Sequence, residues 1–310
     1  MQPSDLEARW FAATRRGDFP AAWATSDAVL AARDPATRDD PRLPYHLRWV
    51  WDGRPFDGRR VLVRCYHGLG DTLQFARYLP ALRRRAAFVT LETQPELLDM
   101  LVSLPGPDRV RPFRVADPAP PSECDIEIME LAHALRAGPM GEAVPYLAVS
   151  PGRVARARAR SGAGPAIGLC WQAGGWDPDR SVPLARLTPI LAGRRLVSLQ
   201  RGPAAGEACA PAFLNPGDRS TDVAETAALI AAVELVVTVD TMVAHLAGAL
   251  GRPVWLLLKR DADWRWGEGR GNSPWYPTMR LFRQRRAGDW DAPLDALAAE
   301  LAGIRGRAAG

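Results

Sequence analysis

Apolar and polar positions near the start of the chain recur at helical spacing. Between residues 5 and 32 this pattern breaks once, at Gly17-Asp18, and it predicts a helical hairpin with helices over residues 6–15 and 20–32. A single hairpin cannot enclose its own apolar face. We therefore expect it to pack on the rest of the protein.

Short apolar runs alternate with amphipathic helical stretches through the rest of the chain. The predicted strands cover residues 60–65, 88–92, 110–113, 124–129, 166–171, 195–200, 235–239 and 253–258. The predicted helices cover residues 71–85, 96–103, 222–233 and 242–250. This alternation is typical of parallel sheets covered on both faces.

We therefore expect an α/β fold of two facing, Rossmann-like, doubly wound lobes behind a short N-terminal helical hairpin. The length of 310 residues suits two compact units with a small appendage. The hairpin and a turn-rich connector occupy residues 1–58. The N-terminal lobe then covers residues 59–152 and the C-terminal lobe residues 153–310.

Composition narrows the functional classes. The net charge is +5, and every basic residue except Lys259 is an arginine. These arginines are scattered apart from a run at residues 153–160, which we interpret as a solvated helix or linker rather than a phosphate-binding patch. A nucleic-acid-binding protein concentrates its cations on one element, so no nucleic-acid partner is expected.

Cysteine spacing and hydropathy bear on the cellular compartment. The four cysteines have no C-x-x-C spacing and predict reduced, buried thiols. No apolar run reaches the roughly 18 residues of a membrane span, and the N-terminus lacks the pattern of a signal peptide. We expect a cytoplasmic protein without a membrane span.

The strongest candidate site lies where the strand over 235–239 meets the next helix. Amides at the start of a helix, together with the helix dipole, are typical of a diphosphate site, here at residues 241–244. Thr241 can add a hydroxyl contact, and His245, one turn on, can donate to an anion or a ribose. The alternative is that Asp240 only caps the helix and His245 is a core histidine.

A second candidate follows the first strand of the N-terminal lobe. Gly68 and Gly70 let the backbone pass close to a ligand. Asp71, at the start of the next helix, can act as a general base toward a hydroxyl group. Helix capping is the other explanation for Asp71.

A third candidate is the loop after the first strand of the C-terminal lobe. It contains Gly174-Gly175 and Arg180, whose guanidinium can hold a phosphate, unless it is an ordinary surface arginine. Two Asp-x-Asp tripeptides, at 177–179 and 261–263, are too short to indicate a metal site. Because a helix N-terminus can stabilise a diphosphate, we expect no metal.

Five motifs in this order resemble the heptosyltransferase-like glycosyltransferases of family 9. The resemblance is closer to the bacterial members that carry tetratricopeptide repeats, since the hairpin resembles one such repeat. It spans residues 51–290, and its motifs are Gly68-Leu-Gly-Asp71 with residues 72–80, Arg180-Ser-Val-Pro-Leu184, Val197-Ser-Leu-Gln200, residues 239–249, and Trp264-Arg-Trp266 with residues 273–277.

The resemblance implies a fold of the glycosyltransferase B type, with the acceptor bound by the N-terminal lobe and a nucleotide-sugar donor by the C-terminal lobe. It implies that Asp71 is the catalytic base. The residues that it assigns to the donor are Arg180, Gln200, Asp240, Thr241, Met242 and His245. Those that it assigns to the acceptor loop are Gly68, Gly70 and Gln74. The heptosyltransferases usually have glycine where this chain has Met242.

We therefore expect a metal-independent, inverting glycosyltransferase with a nucleotide-sugar as co-substrate and no other cofactor. Its acceptor is a glycan, a lipid-linked sugar or a protein. The alternatives are a non-catalytic interaction module on the same fold and, less favoured, a nucleotide-sugar epimerase.

Overall fold

The computed structural model describes residues 3–139, 144–162, 164–209, 211–215 and 222–308. The chain divides into two compact units, Met1–Leu147 and Ala148–Gly310. Each unit contains one parallel β-sheet with flanking helices, which confirms the predicted α/β fold of two lobes. The hairpin and connector belong to the first unit, and the second unit begins five residues before the predicted boundary at 152/153.

The hairpin consists of α1 (Pro3–Arg16) and α2 (Phe19–Ala32). Gly17 separates them with a φ of +78°, a conformation that favours glycine. Asp18 then caps α2, because its carboxylate accepts a hydrogen bond of 3.1 Å from the Ala21 amide. The predicted break thus lies at the residues that turn the chain and start the second helix.

One ion-paired face of α2 attaches the hairpin to the first lobe. Asp27 accepts from Arg136 Nη2 at 2.6 Å and lies 2.9 Å from His133 Nε2. At the end of the helix, Arg33 Nη1 donates to Glu130 Oε1 at 2.9 Å. The hairpin therefore packs on the body of the protein, as expected of a lone unit.

The first sheet has four parallel strands in the order β3-β2-β1-β4. Its strands are β1 (Arg60–Arg64), β2 (Phe88–Thr93), β3 (Arg109–Pro112) and β4 (Cys124–Glu127). Its helices are α3 (Leu69–Phe75), α4 (Leu79–Arg83), α5 (Leu98–Leu101) and α6 (Leu131–Ala134). The single helix predicted over 71–85 is thus two helices, and Pro80, which has no backbone N–H, lies in the first turn of the second.

The second sheet has five parallel strands in the order β6-β5-β7-β8-β9. Its strands are β5 (Ile167–Cys170), β6 (Leu196–Ser198), β7 (Leu235–Val239), β8 (Val254–Leu258) and β9 (Met279–Arg283). Its helices are α7 (Pro151–Ser161), α8 (Leu184–Leu187), α9 (Val223–Ala232), α10 (Met242–Ala249) and α11 (Asp291–Ala308). Neither β9 nor α11 was predicted from the sequence.

The arginine run at 153–160 lies in α7, on the surface of the second unit. Arg153 pairs with Asp222 at 3.1 Å and with Glu225 at 2.9 Å, and Arg160 pairs with Glu225 at 3.1 Å. The interpretation as a solvated helix is correct. Its ion pairs with the start of α9 explain why this segment belongs to the second unit.

Three of the four cysteines, Cys65, Cys124 and Cys170, are buried as predicted, whereas Cys209 is exposed. Burial raises the pKa of the Cys124 and Cys170 thiols to about 11, so both are protonated at neutral pH. Among the described residues, no helix combines the length and the apolar character needed to cross a bilayer.

Candidate functional site

The junction between β7 and α10 lies at the carboxyl edge of the second sheet, where parallel sheets bind ligands. Thr241, not Asp240, is the N-cap. Its Oγ1 accepts from the Val243 amide at 3.2 Å, and its carbonyl accepts from the Ala244 amide at 3.0 Å. Two of the four amides expected to be available to a ligand are therefore bonded to Thr241, which leaves Thr241 and Met242 to supply backbone contacts.

Asp240 is buried beside this cap and is held from two directions. Its Oδ2 accepts from Trp266 Nε1 at 2.9 Å, and its backbone carbonyl accepts from Arg180 Nη1 at 2.8 Å. Burial and the charge of Asp263 together raise the pKa of the Asp240 carboxyl to about 6, against the lowering effects of the Trp266 hydrogen bond and the charge of Arg180. A carboxyl group at this edge thus titrates near neutral pH.

His245, one turn into α10, is 6% exposed and is packed between aromatic rings. Its ring stacks on that of Trp266 at 5.2 Å, and its Nδ1 lies 3.1 Å from the Tyr276 hydroxyl. A Cβ added at Gly248 would lie 2.5 Å from the Tyr276 ring, so glycine is required there. These contacts match the core-histidine interpretation, and a donor contact by His245 stays a prediction.

Arg180 ends a short 3₁₀ turn, Pro178–Arg180, in the loop after β5. Its guanidinium lies 4.2 Å from the ring of Trp176, and its Nε lies 3.6 Å from Asp177 Oδ2. Together with the bond to the Asp240 carbonyl, these contacts place Arg180 against the start of α10 rather than on an unattached surface loop. The residues predicted for donor phosphates therefore do come together in the second unit.

Lys259 was missed as a site residue by sequence reasoning. It directly follows β8, and its Nζ lies 2.8 Å from Asp177 Oδ2, the oxygen that also faces Arg180. The only available signal was that a single lysine, in a chain whose other basic residues are all arginine, stands at the carboxyl end of a predicted strand. The structure adds it to this edge of the sheet.

Gln200 acts on the loop after β5 through both ends of its side-chain amide. Its Oε1 accepts from the backbone amides of Trp171 and Gln172, at 3.0 and 2.9 Å. Its Nε2 donates to the carbonyls of Gln172 and Arg201, both at 3.0 Å. In the structure, these contacts of Gln200 position the loop after β5. Donor binding by this side chain stays a prediction.

In the first unit, Asp71 lies in the first turn of α3. Its Oδ2 accepts from the Gly68 amide at 3.0 Å, so the predicted capping contact is present. A Cβ at Gly68 would lie 3.1 Å from this oxygen, and the φ of Gly68 is an ordinary −70°. Gly68 therefore makes room for the Asp71 carboxylate, and the close approach of a ligand to Gly68 and Gly70 stays a prediction.

Two further side chains of the first lobe concern the loop that carries Asp71. Gln74, assigned to the acceptor loop, is completely buried, and an acceptor contact by its side chain stays a prediction. Gln94, which was not predicted, follows β2 and donates to the His67 carbonyl at 2.8 Å while accepting from Thr72 Oγ1 at 3.0 Å. Gln94 thus fixes both sides of the loop that carries Asp71.

A buried carboxyl group, Glu127, lies at the end of β4. Desolvation raises its pKa well above the ordinary value, and the charges of Glu130 and Asp71 add to this effect. Its oxygens accept from the Met129 amide at 2.7 Å and from the Tyr66 amide at 3.4 Å. Glu127 therefore adds a buried carboxyl group with a raised pKa to the surroundings of Asp71.

The sequence and the fold were compared with those of known proteins. Residues 127–267 match glycosyltransferase family 9 (heptosyltransferase). The chain is also 29% identical over 316 residues to the protein FlbA of Caulobacter vibrioides, an alignment that covers 89% of this chain and 51% of FlbA. The chain thus spans about half the length of that relative.

Several solved structures share the fold. They include the Escherichia coli ADP-heptose LPS heptosyltransferase II, with a TM-score of 0.55 and 14% identity over 81% of this chain and 100% of that one. A family 9 glycosyltransferase of Veillonella parvula has a TM-score of 0.59 and 12% identity over 79% and 97%. The E. coli heptosyltransferase WaaC with ADP-2-deoxy-2-fluoro heptose has a TM-score of 0.52 and 14% identity over 79% and 99%.

At these identities the solved structures establish a common fold alone, and the family match covers residues 127–267. That segment contains Arg180, Thr241 and Lys259, which lie at the carboxyl edge of the second sheet. Residues 127–267 therefore match glycosyltransferase family 9, and the fold is heptosyltransferase-like, which agrees with the resemblance inferred from the five motifs.

Proposed function

We propose that this chain transfers a sugar from a nucleoside-diphosphate donor to an acceptor hydroxyl, and that it acts in the cytoplasm. The observation that carries the proposal is the meeting of Arg180, Asp240 and Thr241 at the start of α10, inside the family 9 region. A nucleotide-sugar donor is also supported by the printed names of the structural relatives, two of which refer to ADP-heptose or its analogue.

The second lobe supplies charge stabilisation for the leaving group. As the bond between the anomeric carbon and the diphosphate breaks, its electron pair stays on the phosphate oxygen. Arg180, the Thr241 and Met242 amides and the positive end of the α10 dipole are fixed groups that can stabilise this charge. Preorganised groups of this kind usually supply the largest share of catalysis.

The first lobe supplies the base. Asp71 removes the proton of the acceptor hydroxyl, whose oxygen attacks the anomeric carbon on the face opposite the diphosphate, so that the configuration inverts. The Gly68 amide, bonded to Asp71 Oδ2 at 3.0 Å, restrains the orientation of the carboxylate. The acceptor is a glycan, a lipid-linked sugar or a protein, and no metal takes part.

A thermal-shift screen with ADP-, GDP-, UDP- and dTDP-sugars tests the donor. A ligand that binds only the folded state raises Tm by mass action. At a ligand concentration of about 100 times Kd, the folded state is stabilised by about 2.7 kcal/mol. We expect one nucleotide class to raise Tm and its sugar to be released or transferred.

The same screen separates the competing functions. Absence of a shift with every donor contradicts the proposal and favours a non-catalytic interaction module. Conversion of the donor sugar into a stereoisomer without any acceptor favours an epimerase.

A further inference from the structure

Lys259 occupies a place in the second sheet that points to a ligand. In the ladder between β7 and β8, Val239 is paired with Leu257. Lys259 lies two residues beyond Leu257, and Thr241, the cap of α10, lies two residues beyond Val239. Because the two strands are parallel, both residues leave the sheet at its carboxyl edge.

The side chain of Lys259 is held at this edge by an acid that it shares with Arg180. Asp177 Oδ2 lies 2.8 Å from Lys259 Nζ and 3.6 Å from Arg180 Nε. The side chains of Asp177, Arg180 and Lys259 are 15%, 12% and 25% exposed, so all three groups are largely withdrawn from water. Two cations therefore face the single carboxylate of Asp177 at this edge of the sheet.

Two further contacts hold the Arg180 guanidinium in place near Lys259. Its Nη1 donates to the Asp240 carbonyl at 2.8 Å, and its guanidinium is stacked 4.2 Å from the Trp176 ring. Trp176 is 80% exposed, so this arrangement faces solvent. Fixed, partly desolvated cations of this kind favour an anion with more than one charged oxygen.

We propose that Lys259 is a second phosphate-binding cation, which contacts the diphosphate of the donor alongside Arg180. The inference rests on the proposed function, because it concerns the same site. It adds a residue that the motifs did not indicate. It also assigns Asp177 as a positioning residue that keeps both cations at the edge of the sheet.

The competing explanation is that Lys259 only stabilises the loop through its ion pair with Asp177. Lys259→Met and Asp177→Asn both break this pair. Only the first removes a cation from the site. Their effects on diphosphate binding therefore separate a direct contact from a structural one.

Calorimetric titration of the full chain with inorganic pyrophosphate and with ADP, GDP, UDP and dTDP tests the proposal. Lys259→Met should weaken pyrophosphate and nucleoside-diphosphate binding by about tenfold or more, as expected for the loss of a hydrogen bond to a charged group. Lys259→Arg should restore most of the affinity, and Asp177→Asn should not reproduce the loss. Arg260→Met is the matched control, because Arg260 is exposed and donates to the Arg285 carbonyl at 3.2 Å.

Three results would overturn the inference. Binding by Lys259→Met within about twofold of the unmodified protein excludes a phosphate contact. An equal loss in Asp177→Asn and Lys259→Met, with folded variants, shows that the ion pair alone matters. If the unmodified protein binds neither pyrophosphate nor any of the four nucleotides, the proposed function fails as well, so the two failures are distinguishable.

Discussion

Gln94 and Gln200 perform the same structural task in the two lobes. Each follows the strand next to the first strand of its sheet, and each hydrogen-bonds the loop that leaves that first strand. Gln94 bonds the loop that carries Asp71, through the His67 carbonyl and the Thr72 hydroxyl. Gln200 bonds the loop that leads to Arg180, through the amides of Trp171 and Gln172. In both lobes a neutral amide therefore fixes the loop before a charged residue.

Replacing Gln200 with Ala should destabilise the second lobe. The amides of Trp171 and Gln172 would lose their acceptor in a buried setting, and we expect the free energy of unfolding to fall by about 2–4 kcal/mol. Gln200→Glu retains an acceptor oxygen, but only its protonated form can donate to the Gln172 or Arg201 carbonyl, so it should cost less at low pH than at high pH. Urea unfolding followed by tryptophan fluorescence measures both, and a loss below about 1 kcal/mol for Gln200→Ala would contradict this role.

Replacing Asp71 with Asn tests the assignment of the base. Asn keeps an oxygen that can accept from the Gly68 amide but cannot take up a proton, so transfer should fall by about 10²- to 10⁴-fold. The thermal shift with the donor should stay that of the unmodified protein, because the donor residues lie in the other lobe. Turnover at an unchanged rate would show that another group is the base.

Replacing Asp240 with Asn should change the pH dependence of stability. The pKa of Asp240 is about 6 in the folded protein against 3.8 for the free side chain, so the folded state binds its proton more tightly. Ionisation therefore costs the folded state stability as pH rises from about 4 to about 6, and the cost is constant above that range.

Asn carries no charge and can still accept from Trp266 Nε1. Asp240→Asn should thus match the unmodified protein at pH 4 and exceed it by about 2–3 kcal/mol at pH 7 and above. Denaturant unfolding at a series of pH values measures the difference. A gain that is equal at pH 4 and pH 8 would rule out titration of Asp240 as its cause.

Replacing Gly248 with Ala should displace the aromatic contacts of His245. The new Cβ would lie 2.5 Å from the Tyr276 ring, whose hydroxyl contacts His245. Overpacking of this kind typically costs about 1–3 kcal/mol. Gly271→Ala is a suitable control, since no atom lies within 4 Å of its added Cβ. Equal melting temperatures of the two variants would argue against a tightly packed contact.

The sequence was sufficient to predict the strands in which every residue is buried. The strands β7 and β8 are buried at every position and apolar at all of them except Thr238, a pattern typical of buried parallel strands, and the predicted bounds of β7 agree with the structure. The strand β9 was missed because its apolar residues are flanked and interrupted by arginines. Its exposed Arg280, within Met279–Arg283, interrupts the apolar pattern that identified the others.

Only those features of the candidate site that involve residues close together in the sequence could be predicted. The spacing of Asp240, Thr241 and His245 along the chain follows from a strand that ends and a helix that begins. The partner of the Asp240 carboxylate is Trp266, 26 residues later, and that contact depends on how loops fold over the sheet edge. The same is true of Lys259, whose relation to Asp177 crosses 82 positions of the chain and leaves no periodic signal.

The contacts of Trp266 with both Asp240 and His245 have a consequence for the local stability of the candidate site. The start of α10 keeps its geometry only while the segment around Trp266 and Tyr276 is folded against it. Local opening of that segment would therefore release the helix start as well, and the backbone amides of both should exchange with solvent deuterium as one cooperative unit. The proposed diphosphate site thus depends on a later part of the chain that packs onto it.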